Sequence, residues 1–117
     1  MYNKVSLIGH LGSDPEIRRL EGGDAVARFS VAIDRNRKRA DNAVNQTDFI
    51  RVVAWNRLAE ICHQYLKKGK LVSIVGRLQI DSYEKDGDTR VSAEVVADDM
   101  QMLDRMSDVQ SQPVMNA

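Results

Sequence analysis

The chain reads as an all-β domain, a five-stranded Greek-key barrel of the OB-fold type with one helix between its third and fourth strands. Three observations lead there: several short runs alternate apolar and polar residues with period two, one segment switches to helical period, and turn-forming residues separate the runs. A length of 117 residues fits one domain, and 43% hydrophobic with 29% charged residues is too apolar for a disordered chain.

Val5, Leu7 and Ile8 open the first strand, which ends at Gly9 ahead of the turn residues Gly12, Ser13, Asp14 and Pro15. After a turn at Glu21 to Asp24, the second strand sets Ala25, Ala27, Phe29, Val31 and Ile33 against Val26, Arg28, Ser30 and Ala32. Residues 34–46 hold almost nothing apolar and form a basic loop. The third strand, residues 47–55, puts Phe49, Arg51, Val53 and Trp55 on one face and Ile50, Val52 and Ala54 on the other. From Arg57 the spacing of Leu58, Ile61, Cys62, Tyr65 and Leu66 is that of an amphipathic helix. Lys67 and Lys68 are expected in its last turn, opposing the helix dipole, with Gly69 as a left-handed cap.

The fourth strand, residues 71–80, carries Val72, Ile74, Leu78 and Ile80 on one side and Arg77 and Gln79 on the other. A hairpin at Asp86-Gly87 leads into the fifth, where Val91, Ala93, Val95 and Ala97 alternate with Arg90, Ser92, Glu94 and Val96. Three strands, a helix and two strands is the order of the OB-fold. The domain is expected to span residues 1–104, with 105–117 a short flexible tail.

Cys62 is the only cysteine, so no internal disulfide and no thiolate zinc cluster can form, and the cytosol is the expected compartment. The sequence contains no secretory leader pattern and no apolar window of membrane-spanning length. Formal net charge is zero, but it is unevenly spread. Residues 35–77 hold ten basic side chains against three acidic ones, and residues 81–108 hold nine acidic against three basic. Such segregation creates a local positive field unless the fold interleaves the two regions.

A binder of single-stranded nucleic acid needs cations that follow the phosphates and flat side chains on which bases stack. The third strand offers both, with Phe49 and Trp55 flanking Arg51, and Tyr83 adds a ring on the next hairpin. Periodicity alone does not say which face points inward, and Phe49 and Trp55 as core residues is the competing reading. Arg51 decides between them, because an unpaired guanidinium is costly to bury, whereas Ile50, Val52 and Ala54 make an ordinary inner face. For Tyr83 the competing role is packing within the hairpin. Arg35, Arg37, Lys38 and Arg39 read either as a solvated loop or, with Arg28, Arg57, Lys68 and Arg77, as a phosphate track.

Nothing supports catalysis. Cys62 sits on the apolar stripe of the helix, His10 and His63 have no second ligand at metal spacing, and no phosphate-binding glycine loop or nucleophile elbow is present. No enzyme activity, cofactor or metal is expected.

The segments Asn3-Lys4-Val5 to Glu16, Ala25-Val26-Ala27-Arg28-Phe29-Ser30-Val31-Ala32, residues 47–60, Tyr65-Leu66-Lys67-Lys68-Gly69, Gly76-Arg77-Leu78 and Glu94 to Leu103 resemble bacterial single-stranded DNA-binding proteins, in order over residues 3–103. The resemblance implies an OB-fold assembled as a homotetramer that protects single-stranded DNA in replication, recombination and repair. It implies base stacking at Phe49, Trp55 and Tyr83 and backbone contacts at Arg51, Arg57 and Lys68, and Lys4 joins the expected backbone set.

Departures from the family are also visible. Asn36 or Arg37 stands where many relatives carry tryptophan, Gln79, Asp81 and Ser82 replace basic residues before Tyr83, and His10 stands where arginine or asparagine is common. Ser107 to Ala117 lacks the long linker and acidic tip that recruits repair enzymes in many relatives, so poor recruitment of those partners is expected. Two other readings remain at this point. A primosome-type OB-fold adaptor would bridge proteins, bind DNA weakly and form a dimer; an OB-fold nuclease, or the detached binding domain of a larger enzyme, would show turnover.

Overall fold

The computed structural model describes residues 1–35 and 46–103. They form β1 (Val5–Leu11), β2 (Glu16–Arg19), β3 (Ala25–Arg35), β4 (Gln46–Trp55), α1 (Asn56–Tyr65), β5 (Leu71–Lys85) and β6 (Asp88–Met102). The strands join in one sheet of order β1-β5-β6-β4-β3-β2, and a further β1–β3 pairing at His10–Ala32 and Leu11–Val31 closes it on itself. Five strands therefore make the ring, and β2 is added outside it on β3. All the pairs are antiparallel except β4 with β6, where Val52 faces Val95 and Val53 faces Val96 in parallel. This ring order, with a helix between β4 and β5, is the OB-fold expected from the sequence.

Each β3, β4, β5 and β6 strand contributes one alternating row to the interior: Ala27, Phe29 and Val31; Val52 and Ala54; Val72 and Ile74; Val95 and Ala97. The period of two sorts side chains by face, so the aliphatic row of β4 lies inside and the row of Phe49 and Trp55 lies outside. Helix α1 packs on β3 and β4 and buries Ala59 and Cys62, with Leu66 beyond its end. Burial pushes the Cys62 thiol up to about 11.

Several boundaries move outward from the sequence reading, with β1 running to Leu11 rather than Gly9, β3 to Arg35, β4 from Gln46 and β5 to Lys85, because strand pairing carries the extended backbone past the end of the apolar alternation. Four further details differ. Strand β2 was not expected, because Glu16-Ile17-Arg18-Arg19 offers a single apolar residue to a periodicity argument. The helix ends at Tyr65, so Lys67 and Lys68 lie beyond its last turn, where His63 is the basic residue. Leu66 caps it in extended conformation (φ −99°, ψ 147°), and the left-handed Gly69 (φ 94°) belongs to the turn that follows. Tyr65, assigned to the apolar stripe, is exposed. The boundary at residue 104 and the tail over 105–117 lie outside the described residues.

Strands β5 and β6 continue beyond the ring as a long hairpin, paired down to Lys85–Asp88 around Asp86 (φ 54°) and Gly87 (φ 82°), the two-residue turn that Asp-Gly favours. Outside the ring the inward-facing row runs out of partners, which is why Leu78, Ile80 and Val91 are exposed although Val72 and Ile74 are buried. The change of course comes at a register shift between Val75 and Gly76. A Cβ at Gly76 would lie 2.0 Å from the Val96 carbonyl oxygen, so no larger residue fits there beside β6.

Two measurements check this architecture. Ile74→Ala empties a fully buried site and is expected to lower unfolding free energy by about 2–5 kcal/mol, whereas Phe49→Ala changes it by no more than about 0.5 kcal/mol, read by denaturant titration. Cys62 is expected to resist thiol reagents at pH 8 in the folded chain and to react at once in denaturant; because its folded pKa is raised, any contribution to stability is lost as pH climbs through about 11.

Candidate nucleic-acid interface

Strand β4 supplies the centre of the site. On its outer face Phe49 is 64% exposed and Trp55 41%, with Arg51 in solvent between them and without an ion-pair or hydrogen-bond partner among the described residues. Five residues of strand separate the two rings, a span of roughly 20 Å. Phe29, the other phenylalanine, lies inside the barrel.

Local structure aims both rings. A Cβ on Gly12 would lie 3.0 Å from Phe49 Cδ1 and 3.1 Å from Cε1, so the Phe49 ring rests on the turn after β1 because no side chain stands there. That turn is tied to the one after α1: Gly69 N–H donates to the Leu11 carbonyl (2.8 Å), and Lys68 N–H donates to Asp14 Oδ1 (2.8 Å). Lys68 is therefore held on a turn that is bonded to the Phe49 end of the face. At the other end Asn56 adopts a left-handed conformation (φ 51°) that asparagine tolerates, and its Oδ1 accepts a hydrogen bond from Ala25 N–H (3.1 Å). This bend ends β4 at Trp55 and starts the helix whose first turn carries the exposed Arg57.

The outer face also has an apolar floor that periodicity did not reveal. Val26, Val53 and Val96 form a small cluster of their own, and Val53 is only 2% exposed although it shares the outer face with Phe49 and Trp55. Register explains the cluster: Arg28 faces Val53, Val53 faces Val96, and Val96 faces Arg77, so two arginines end a row whose middle is valine. Long arginine stems cover apolar surface while their heads stay wet. Val5 faces Gly76 and the Asn3 side chain bonds to the Leu78 backbone in both directions, which sets Lys4 next to Arg77 in the same row.

Several expected cations are already paired. Arg28 Nε lies 3.8 Å from Glu94 Oε2, and Arg77 Nη1 donates to Asp98 Oδ1 at 2.9 Å. Arg35 donates from Nε and Nη2 to the two oxygens of Asp48 (2.9 and 3.0 Å) and from Nη1 to Gln46. Its hydrogen bonds hold the Asp48 carboxyl below the usual carboxylate range, and the same contact raises the Arg35 pKa. Tyr83 faces Arg90 across the hairpin and is 49% exposed, on the alternation row of Arg77 and Gln79, about 20 Å beyond Arg77. Arg37, Lys38 and Arg39 lie outside the described residues.

The structure thus brings Phe49, Trp55, Arg51, Arg28, Arg77 and Lys4 onto one surface, bordered by Arg57 and by the turn of Lys68, with Tyr83 out on the hairpin. Sequence reasoning missed Gly12, Val53 as floor, and the acids Glu94 and Asp98. The alternation of β6 places Glu94 on the row of Val96, but only the parallel β4–β6 register brings that row beside Arg51 and Arg28. Among the described residues no group of acidic, histidine or cysteine side chains is arranged to hold a metal ion, and no helix is long and apolar enough to cross a membrane.

The sequence of residues 2–103 matches the family described as Single-strand binding protein family. Single-stranded DNA-binding protein 1 of Chlorobaculum tepidum is 49% identical over 104 residues, covering 86% of this chain and 64% of the relative. The single-stranded DNA-binding protein of Neisseria meningitidis serogroup A is 47% identical over 107 residues, with 59% of its own length covered. The chain therefore spans about three fifths of the length of these relatives. Among solved structures, a Plasmodium falciparum SSB in complex with ssDNA superposes with a TM-score of 0.81 at 29% identity, covering 89% of this chain and 96% of that one. With the matched segment spanning the whole described barrel, the chain belongs to the single-strand binding protein family.

Proposed function

We propose that the chain binds single-stranded DNA without strong sequence preference and protects it during replication, recombination and repair, as a non-enzymatic homotetramer in the cytoplasm. The observation that carries this reading is the exposed row Phe49, Arg51, Trp55 on the outer face of β4. Bases stack on the two rings and on Tyr83, while Lys4, Arg28, Arg35, Arg37, Lys38, Arg39, Arg51, Arg57, Lys68 and Arg77 meet the backbone. Ring stacking and phosphate attraction are indifferent to base identity, which accounts for the lack of sequence preference. One domain over residues 1–104 carries this activity. The names of the relatives and the DNA-bound neighbour support the same reading. The exposed Leu78, Ile80 and Val91 on the hairpin give self-association an apolar surface to use.

Trp55 is the only tryptophan and so reports on the site directly. Oligo-dT is expected to quench its emission at low salt, with recovery at high salt; unchanged emission at saturating oligonucleotide would rule out stacking on Trp55. Phe49→Ala should weaken binding by about tenfold to a hundredfold, the equivalent of about 1–3 kcal/mol for one stacked base. Arg51→Ala should weaken it and flatten the dependence of log K on log salt by about 0.7, one phosphate contact on a single strand.

Gly12→Ala tests the support beneath the ring. Its methyl group crowds the Ser30 hydroxyl (2.8 Å) and the Phe49 ring (3.0 Å), so binding should weaken by less than in Phe49→Ala, and most of the effect should disappear when Phe49 is already alanine. An undiminished Gly12→Ala effect in the Phe49→Ala background would show that Gly12 acts elsewhere.

A further inference from the structure

We propose that Glu94, with Asp98 in a lesser role, sets the affinity and salt response of this face by competing with phosphate for the arginines of the valine row. The inference rests on the DNA-binding reading above and concerns acids that carry no role in it. Three observations place Glu94 in this position. It lies within ion-pair reach of Arg28, at 3.8 Å. The parallel register of Val52 with Val95 sets it beside Arg51, one step back along both strands. Its side chain is only 19% exposed, so it does not swing away into water when a phosphate arrives.

Asp98 makes the same kind of contact with Arg77 at 2.9 Å, but its side chain is 55% exposed. Exposed ion pairs are weak and open readily, so Asp98 yields to a phosphate and rotates into solvent. Glu94 stays beside the incoming backbone, where a second negative charge opposes binding. The two acids also account for the fate of the basic middle of the chain: its field is interrupted on this face by carboxylates from the acidic end of the sequence.

The consequence for salt follows from counting ions. A phosphate contact releases a cation from the nucleic acid, and affinity falls with salt accordingly. A carboxylate that loses its arginine to that phosphate takes up a cation, which offsets part of the release. Removing the charge of Glu94 therefore tightens binding at low salt and steepens the salt dependence together.

The test is titration of the full 117-residue chain with oligo-dT at several salt concentrations, followed by Trp55 emission, for the unchanged chain, Glu94→Gln, Asp98→Asn, Arg28→Gln and the double variant Glu94→Gln/Arg28→Gln. Glu21→Gln, an exposed acid on the turn after β2, controls for net charge alone. Glu94→Gln is expected to bind about threefold to fivefold more tightly at low salt, with a log K against log salt slope steeper by up to about 0.7. Asp98→Asn gives a smaller gain. In the Arg28→Gln background most of the Glu94→Gln gain disappears. A gain no larger than that of Glu21→Gln, or one that persists in full without Arg28, overturns the proposal while leaving DNA binding itself intact. Failure of the unchanged chain to bind oligo-dT overturns the parent reading and this one with it.

Discussion

A β-strand can bury only one of its two faces, and in β4 the guanidinium of Arg51 fixes which one. Burying it without a partner would cost more than the two flanking rings gain by entering the core. Val52 and Ala54 consequently fill the interior, and Phe49 and Trp55 remain in solvent. The rest of the site is arranged around that choice. Gly12 leaves room for one ring, Asn56 bends the chain immediately after the other, and the valines of three neighbouring strands give the face a dry floor.

The outer face is chemically mixed rather than uniformly basic. Its cations are of two kinds: Arg51 stands without a partner among the described residues, and Arg28 and Arg77 are each held by a carboxylate, while Arg35, held by Asp48, lies on the other alternation row of β3. Pairing of this sort holds the arginines beside carboxylates of β6. The same pairs let a chain of zero net charge display arginines on its surface without repelling its own compact state.

Much of this was legible in the sequence. The alternation in residues 25–33 and 47–55, the helical spacing from Leu58 to Leu66, and the Asp86-Gly87 turn fixed the strands, the helix and the hairpin, because each is a local pattern with a local physical cause. Strand β2 escaped because an edge strand with one apolar residue has no period to detect. The end of α1 was misplaced because Gly69 has turn chemistry, and a glycine does not announce whether it ends a helix or follows one by several residues.

The site was less legible than the fold, and for a specific reason. Phe49, Arg51 and Trp55 are neighbours along one strand, so alternation alone assembles them. Gly12 under Phe49, and Glu94 beside Arg28, meet only through ring closure and the parallel β4–β6 register, which depend on how the whole sheet wraps. The most direct test of the central orientation is photo-crosslinking of the chain to an oligonucleotide carrying iodouracil, with adducts located by mass spectrometry. Adducts at Phe49 and Trp55, and none at the interior Phe29, are the predicted result; adducts confined to Tyr2 or Tyr65, with β4 untouched, would contradict it.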